Sequence, residues 1–273
     1  MVDRCDDPLF GAIPERVLLR DAPLVRVLGQ VRFTKIAKIA EESYIANFQE
    51  AIRTAYPRFH SDVVQGVELN LNLGGQELQP RVTNSVIWRF LDASKMYRVS
   101  LSQDAITLET AKYVSREDFL DRFNFILYCL QETIRPSVVE RIGFRYANRL
   151  HGEEVLSSLD ELVHPELLNV VQPNFAHQID ISMSEVTGTT AEGKLIVRYG
   201  LAPADYSYDP DMNPPINERS WVLDVDSYST ACAGSEFDAQ TMREALDKVA
   251  DRAYAFFRWS IKDKFLERFG ATQ

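Results

Sequence analysis

The chain has 273 residues, of which 45% are hydrophobic, 11% aromatic and 26% charged, a composition typical of a soluble globular protein rather than of an intrinsically disordered one. The net charge of -10 is unevenly spread, with 20 basic and 19 acidic residues in 1–150 against 10 and 21 in 151–273. The overall acidity disfavours a nucleic-acid partner. The asymmetry indicates that the two halves attract each other or face different partners.

The start of the chain and the cysteines indicate a compartment. The first ten residues, MVDRCDDPLF, lack the basic start and apolar stretch of a secretory signal, and no run of about 18 apolar residues could span a membrane. Cys5, Cys129 and Cys232 are far apart and form no CxxC pair. We therefore expect a cytoplasmic protein without a disulfide framework, a membrane span or a zinc ribbon.

Hydrophobic periodicity predicts the elements, since a period of two indicates a half-buried strand and a stripe at helical spacing indicates an amphipathic helix. The predicted helix at 115–134 opens on Ser115 as its N-cap. In chain order the elements are a strand at 24–34, a helix at 41–56, strands around 67–73 and 97–101, a helix at 115–134, a strand at 138–150, a helical stretch at 154–169, strands at 175–187, 193–201 and 219–228, and a helix at 237–268.

This order predicts an α+β fold of mainly antiparallel sheets backed by helices. The same sequence of elements occurs twice, which suggests two duplicated halves, 1–137 and 138–273, packed as one compact unit. In that scheme the strand at 24–34 corresponds to 138–150. The proline-rich segment at 202–220 predicts a long exposed loop rather than a domain boundary.

Several segments together resemble an uncharacterised, sporadically distributed family of bacterial proteins of about this length. They are PLVRVLGQVRF, WRFLDASKMYRVSLSQDAITLETAKYVSREDF, RIGFRYAN and FFRWSIKDKFLERFG. The resemblance spans nearly the whole chain, and the RYAN segment is its most specific part. It implies a bacterial origin and a single shared architecture, and it carries over no catalytic residue.

A row of arginines marks the strand RIGFRYANRL at 141–150. Side chains on a strand alternate, so Arg141, Arg145 and Arg149 share one face, each about 13 Å from the next. Arginine's planar guanidinium suits phosphate, carboxylate or a protein partner. In the alternative interpretation, these arginines pair with carboxylates such as Glu140 or Asp180, or with the acidic second half. The full candidate set for anion or partner binding on polar strand faces is Arg26, Arg32, Arg98, Arg141, Arg145 and Arg149.

Aspartates offer an alternative site. Asp224 and Asp226 are two residues apart on a predicted strand and point the same way, and Asp209 lies in the preceding loop. Such carboxylates could share magnesium or manganese. No histidine or glutamate stands at a diagnostic spacing, so solvated charges are the favoured interpretation and we expect no cofactor.

These patterns contain no catalytic constellation. They favour a non-catalytic binding or regulatory protein that engages a protein partner, as an antitoxin-like or defence-associated component. Trp259, which lies off the apolar stripe of the last helix, is a further candidate for partner contact, with core packing as its alternative. The alternative function is a metal-dependent enzyme acting on a phosphorylated or nucleic-acid substrate. A homo-oligomer also stays open.

Overall fold

The computed structural model describes residues 7–69, 80–168, 170–171 and 176–272. The strands are β1 (Leu18–Leu19), β2 (Leu24–Phe33), β3 (Arg58–Leu69), β4 (Pro80–Leu91), β5 (Tyr97–Leu101), β6 (Ala105–Thr110), β7 (Val139–His151), β8 (Ser182–Thr189), β9 (Lys194–Ala202), β10 (Ser220–Ser229) and β11 (Ala271–Thr272). The α-helices are α1 (Glu42–Ile52), α2 (Arg116–Thr133), α3 (Glu153–Ser157), α4 (Leu159–Leu162), α5 (Ala239–Ser260) and α6 (Asp263–Arg268).

Within the described residues, nine strands form one antiparallel sheet in the order β3-β4-β5-β6-β2-β7-β10-β9-β8, and β1 pairs with β11 separately. The centre of the large sheet is the pairing of β2 with β7, in which Val27 lies opposite Tyr146. This pairing joins the two halves of the chain into one sheet. The predicted α+β class, with an antiparallel sheet backed by helices, is confirmed.

Each half places its last sheet strand beside its first, β6 beside β2 and β10 beside β7. The halves contribute unequally to the large sheet, because five of its described strands belong to the first half and four to the second. The duplication therefore stays a prediction.

Helices α1, α2 and α5 cover one face of the large sheet. Phe48 of α1 packs edge-on against Phe90 of β4, and Phe119 of α2 packs against Phe144 of β7, with ring centroids 5.5 and 5.2 Å apart. On β2, a Cβ added at Gly29 would lie 2.9 Å from the ring of Phe123. Glycine is therefore needed where α2 lies closest to the sheet.

Side-chain caps fix the starts of the two longest helices. The hydroxyl of Ser115 accepts a hydrogen bond from the amide of Asp118 at 3.1 Å, as the sequence predicts. At the start of α5, the carboxylate of Asp238 accepts hydrogen bonds from the hydroxyl and the amide of Thr241, and these lower the pKa of Asp238. Across the described residues, no helix combines the length and apolar character needed to cross a membrane.

The last predicted helix, 237–268, is wrong as one continuous element. Helix α5 ends at Ser260, and Ile261 is extended and bridges to Val163. Helix α6 then turns back, so that Phe265 packs edge-on against Phe257 at 5.8 Å. The aromatic residues keep helical spacing on both sides of the break, which is why their pattern conceals it.

Two other predicted elements differ from the structure. The helical stretch at 154–169 consists of two short helices, α3 and α4, separated at Ser158 and followed by a short 3-10 turn. In the predicted strand at 175–187, residues 176–178 form another 3-10 turn, and the strand begins only at Ser182. Phe175 and the end of the predicted strand 67–73, from residue 70 onward, lie outside the described residues.

Candidate functional site

The face of the large sheet opposite the helices carries all six candidate arginines. Antiparallel register aligns their strands: Arg145 lies opposite Leu28, Leu28 opposite Glu109, and Glu109 opposite Arg98. Side chains opposite one another in register project to the same side of a sheet. We call this surface the arginine face, and its members are Arg26, Arg32, Arg98, Arg141, Arg145 and Arg149.

Glu109 of β6 organises one end of the arginine face. Its carboxylate accepts a hydrogen bond from Arg26 at 2.5 Å and forms an ion pair with Arg98 at 2.7 Å, and the residue is only 4% exposed. Arg32 pairs with Asp104 at 2.5 Å nearer the surface. Three of the six guanidinium groups are therefore neutralised by carboxylates from the first half of the chain.

Arg145 is held by the most deeply buried carboxylate of the face. Its Nε and Nη2 donate to the two oxygens of Asp224 at 2.8 and 2.5 Å, and Asp209 lies 2.9 Å from the same Nη2. The hydroxyl of Tyr208 donates to Asp224 at 2.8 Å. Burial alone would lower the pKa of Arg145, but the carboxylates of Asp224 and Asp209 outweigh it and raise that pKa.

Arg141 lies across the backbone of Gly143. Its guanidinium stands over the ring of Tyr228, 4.1 Å from the centroid, and donates to Asp226 and to Gln30 at 3.2 Å each. A Cβ at Gly143 would lie 3.6 Å from the guanidinium and 3.5 Å from the Cβ of Tyr228, at ordinary van der Waals distance. The guanidinium of Arg141 therefore packs directly over the backbone at Gly143.

Asp226 gives the arginine face a pH dependence. Burial raises the pKa of Asp226 above 3.8, and the charges of Arg141 and Arg145 offset part of that rise. The folded protein then binds this proton more tightly than the unfolded chain does. We expect the free energy of unfolding of the wild type, relative to Asp226→Asn, to fall as pH rises from about 3.8 through the folded-state pKa.

Denaturant titrations of both proteins between about pH 3 and pH 8 measure this difference. The Asn variant cannot titrate at position 226, so carboxyl groups that do not interact with Asp226 contribute equally to both curves. A wild-type advantage that grows with pH over this interval would contradict the assignment.

Arg149 fastens the loop 203–219 onto the arginine face. Its guanidinium donates to the side chain of Asn213 and to the carbonyl of Pro214, and burial lowers its pKa. Met212 and Asn213 are only 3% and 2% exposed. The prediction of a long exposed loop is therefore wrong for this central part, which lies against the sheet because Arg145 and Arg149 supply buried partners.

A cleft of about 290 Å³ lies between this loop and strands β4, β5 and β6. Positively and negatively charged side chains line the cleft, and ion pairs and hydrogen bonds fix their positions. Arg89, for example, bonds to Asp62 at 3.0 Å and to the hydroxyl of Ser100 at 2.6 Å. The charged lining residues are Arg89, Arg98, Arg145, Glu109, Asp209 and Asp211.

Two of the three aspartates of the alternative metal site converge, but they do so on the guanidinium of Arg145. Asp209 and Asp224 both contact Nη2 of Arg145, and Asp226 pairs with Arg141. A cation at this position would have to displace the Arg145 side chain. Among the residues that the structure describes, no group of histidine, cysteine and acidic side chains could hold a metal ion.

Trp259 lies far from the arginine face, on the helical side. Its ring is half-buried, with ring centroids 4.8 Å from His164 and 5.2 Å from Phe256. The structure therefore shows it packed against the core rather than projecting freely into solvent.

Sequence reasoning missed three members of this site: Glu109, Tyr208 and Asn213. Alternation within ITLET does place Glu109 on the polar side of its strand, but the pairing of β6 with β2 and β5 is what brings two arginines to it. No local signal connects Tyr208 or Asn213 to strands β7 and β10. Their positions follow from the tertiary fold of the loop.

No family model and no curated protein matches this chain. The resemblance to an uncharacterised bacterial family therefore depends on the quoted segments alone.

Proposed function

We propose that this protein is a non-catalytic bacterial binding protein that recognises a partner protein through the cleft on its arginine face. The observation that carries the proposal is the mixture of fixed charges around that cleft. Arg98 and Asp209 are partly exposed, and the side chain of Asp211 is 81% exposed at the rim. A partner segment with charges of both signs complements such a surface.

The same charges argue against a polyanion. Nucleic-acid affinity depends on many cations that are free to neutralise phosphates. On the arginine face, the carboxylates of Glu109, Asp224 and Asp226 already occupy Arg26, Arg145 and other guanidinium groups. Asp209 and Asp211 would repel phosphates that approach the cleft. A protein partner is therefore preferred over DNA or RNA.

The proposal favours binding over metal-dependent catalysis because Arg145 occupies the position between Asp209 and Asp224 that a cation would need. Arginine held by carboxylates keeps unused N–H donors, and preorganised arginine is frequent at the energetic centre of protein interfaces. Such a surface supports a role for this protein as an antitoxin-like or regulatory component in the bacterial cytoplasm.

Affinity capture from a lysate of the organism that encodes the protein tests the proposal at physiological ionic strength. The bait proteins are the wild type, Asp211→Arg and Glu50→Arg. Glu50 is an exposed carboxylate of α1, on the other side of the sheet, and serves as the matched charge-reversal control. We expect one partner protein to be enriched by the wild type and by Glu50→Arg and lost with Asp211→Arg. An empty capture, or an unchanged partner with Asp211→Arg, would refute the proposal.

A further inference from the structure

A second cavity lies on the helical side of the sheet, where the RYAN segment presents Tyr146 and Asn148. Its volume is about 350 Å³, within the range of small-molecule sites. The segment 16–24, which we call the strap, closes one side. The start of α2 and the end of α5 close the others, with Tyr113, Arg116 and Phe257 among the lining residues. We call this cavity the strap pocket.

Hydrogen bonds tether the strap at both ends. The hydroxyl of Tyr254 accepts from the amide of Val17 at 2.7 Å and donates to the carbonyl of Glu15 at 3.2 Å. Further along, the carbonyl of Pro23 accepts from the amide of Arg149 at 2.8 Å. The pocket wall is therefore fixed in place before any ligand enters.

Polar groups with unused hydrogen-bonding capacity lie at the inner end of the strap pocket. Asn148 is 7% exposed, and its amide nitrogen donates to the carbonyl of Leu223 at 3.3 Å. Within the described residues, no group donates a hydrogen bond to its amide oxygen. The hydroxyls of Tyr113 and Tyr146 lie 3.4 Å apart and share one hydrogen bond. A ligand hydroxyl could donate to Asn148.

The walls of the strap pocket favour an aromatic ligand. The rings of Tyr113 and Tyr146 stand perpendicular, with centroids 6.0 Å apart, and Tyr254 and Phe257 lie together on α5. Aromatic rings prefer to pack in such edge-on or tilted arrangements. The ring of a bound ligand could pack against these side chains in the same way. Leu18 and Val114 add apolar surface at the mouth, and each is 62% exposed.

The mouth of the strap pocket is basic. Arg20 and Lys112 line it, and no acidic side chain lines it among the described residues. Arg20 pairs with Asp21 only at the surface, where both side chains are more than two-thirds exposed, so that pair is weak. Lys112 forms no salt bridge with any described residue. The mouth therefore attracts an anionic group.

We propose that the strap pocket binds a small hydroxylated aromatic carboxylate. Its ring lies among the tyrosines, its hydroxyl donates to Asn148, and its carboxylate contacts Lys112 and Arg20 at the mouth. This site is on the opposite side of the sheet from the arginine face. The two proposals are therefore independent, and evidence against one does not bear on the other.

Calorimetric titration of the full chain with 4-hydroxyphenylacetate tests the proposal. Phenylacetate lacks the hydroxyl, and the methyl ester of 4-hydroxyphenylacetate lacks the charge. We expect the first probe to bind and each of the other two to bind about three- to tenfold more weakly, as the loss of one hydrogen bond or one exposed ion pair implies.

Protein variants separate the contributions. Lys112→Ala is expected to weaken 4-hydroxyphenylacetate binding about two- to fivefold without affecting its methyl ester. Asn148→Leu is expected to remove the preference for the hydroxylated probe. Lys248→Ala, an exposed lysine of α5 outside the pocket, is the control and is expected to bind as the wild type does. The proposal is overturned if the wild type gives no binding heat at millimolar probe, or if Lys112→Ala and Lys248→Ala bind the probe equally.

Discussion

Replacing Arg145 with methionine is expected to lower the free energy of unfolding by about 3–5 kcal/mol, because it leaves a buried carboxylate without its partner. Asp224 is 1% exposed and directs both oxygens at Arg145. Arg198 stands 3.9 Å from Asp224, too far to replace the two short hydrogen bonds. Denaturant titration of the wild type and Arg145→Met measures the loss.

A second substitution shows whether the uncompensated charge is the cause. In Arg145→Met/Asp224→Asn the carboxylate is gone, while the new amide oxygen can still accept from Tyr208. We expect this double variant to recover most of the lost stability, since removing both charges of a buried pair is far less costly than removing one. Arg53→Met serves as the control. Arg53 pairs with Glu50 at the surface, and its loss is expected to cost at most about 1 kcal/mol. Equal losses for Arg145→Met and Arg53→Met would be inconsistent with a buried ion pair.

Replacing Phe144 with alanine is expected to lower the free energy of unfolding by about 3–5 kcal/mol, because the substitution leaves a cavity at the centre of the sheet. Phe144 is fully buried and packs against Phe119 and Tyr146, with ring centroids 5.2 and 5.0 Å away. It lies opposite Gly29 in the pairing of β2 with β7. The loss therefore weakens both the helix layer and the strand pair that joins the two halves.

Phe144→Leu and Phe125→Ala make this prediction specific. The leucine variant fills part of the cavity and is expected to lose less stability than Phe144→Ala. Phe125 on α2 is 43% exposed, so its replacement by alanine is expected to cost much less than either core substitution. Thermal or denaturant unfolding ranks the three variants. A larger loss for Phe125→Ala than for Phe144→Ala would contradict the described packing.

The sequence predicted which face of a strand each side chain occupies better than it predicted which strands lie next to each other. Alternation along RIGFRYANRL separates Arg145 from Phe144 because successive side chains of a strand point to opposite sides, whatever lies next to them. The partner of Arg145 is Asp224, 79 residues further along the chain. That contact exists because β10 pairs with β7, and sheet order is a long-range property that no local pattern encodes.

Where the prediction failed, tertiary contacts replaced a local preference. The spacing of Phe257, Ile261 and Phe265 suits a continuous helix, yet Ile261 leaves the helix to bridge Val163. Residues of the strap carry no periodic pattern that would reveal a pocket. The strap is positioned by Tyr254 and by pairing with β11, so the pocket it closes could be found only in three dimensions.

Site-specific photo-crosslinking in living cells tests most directly which face of the sheet meets the proposed partner protein. A benzophenone amino acid replaces Pro210, an exposed loop residue between Asp209 and Asp211 of the arginine-face cleft, or Tyr128, whose side chain on α2 is 58% exposed on the helical side. We expect a covalent adduct with one partner protein from position 210 and none with that protein from position 128. Adducts formed from position 128 but not from position 210 would contradict the proposed binding face.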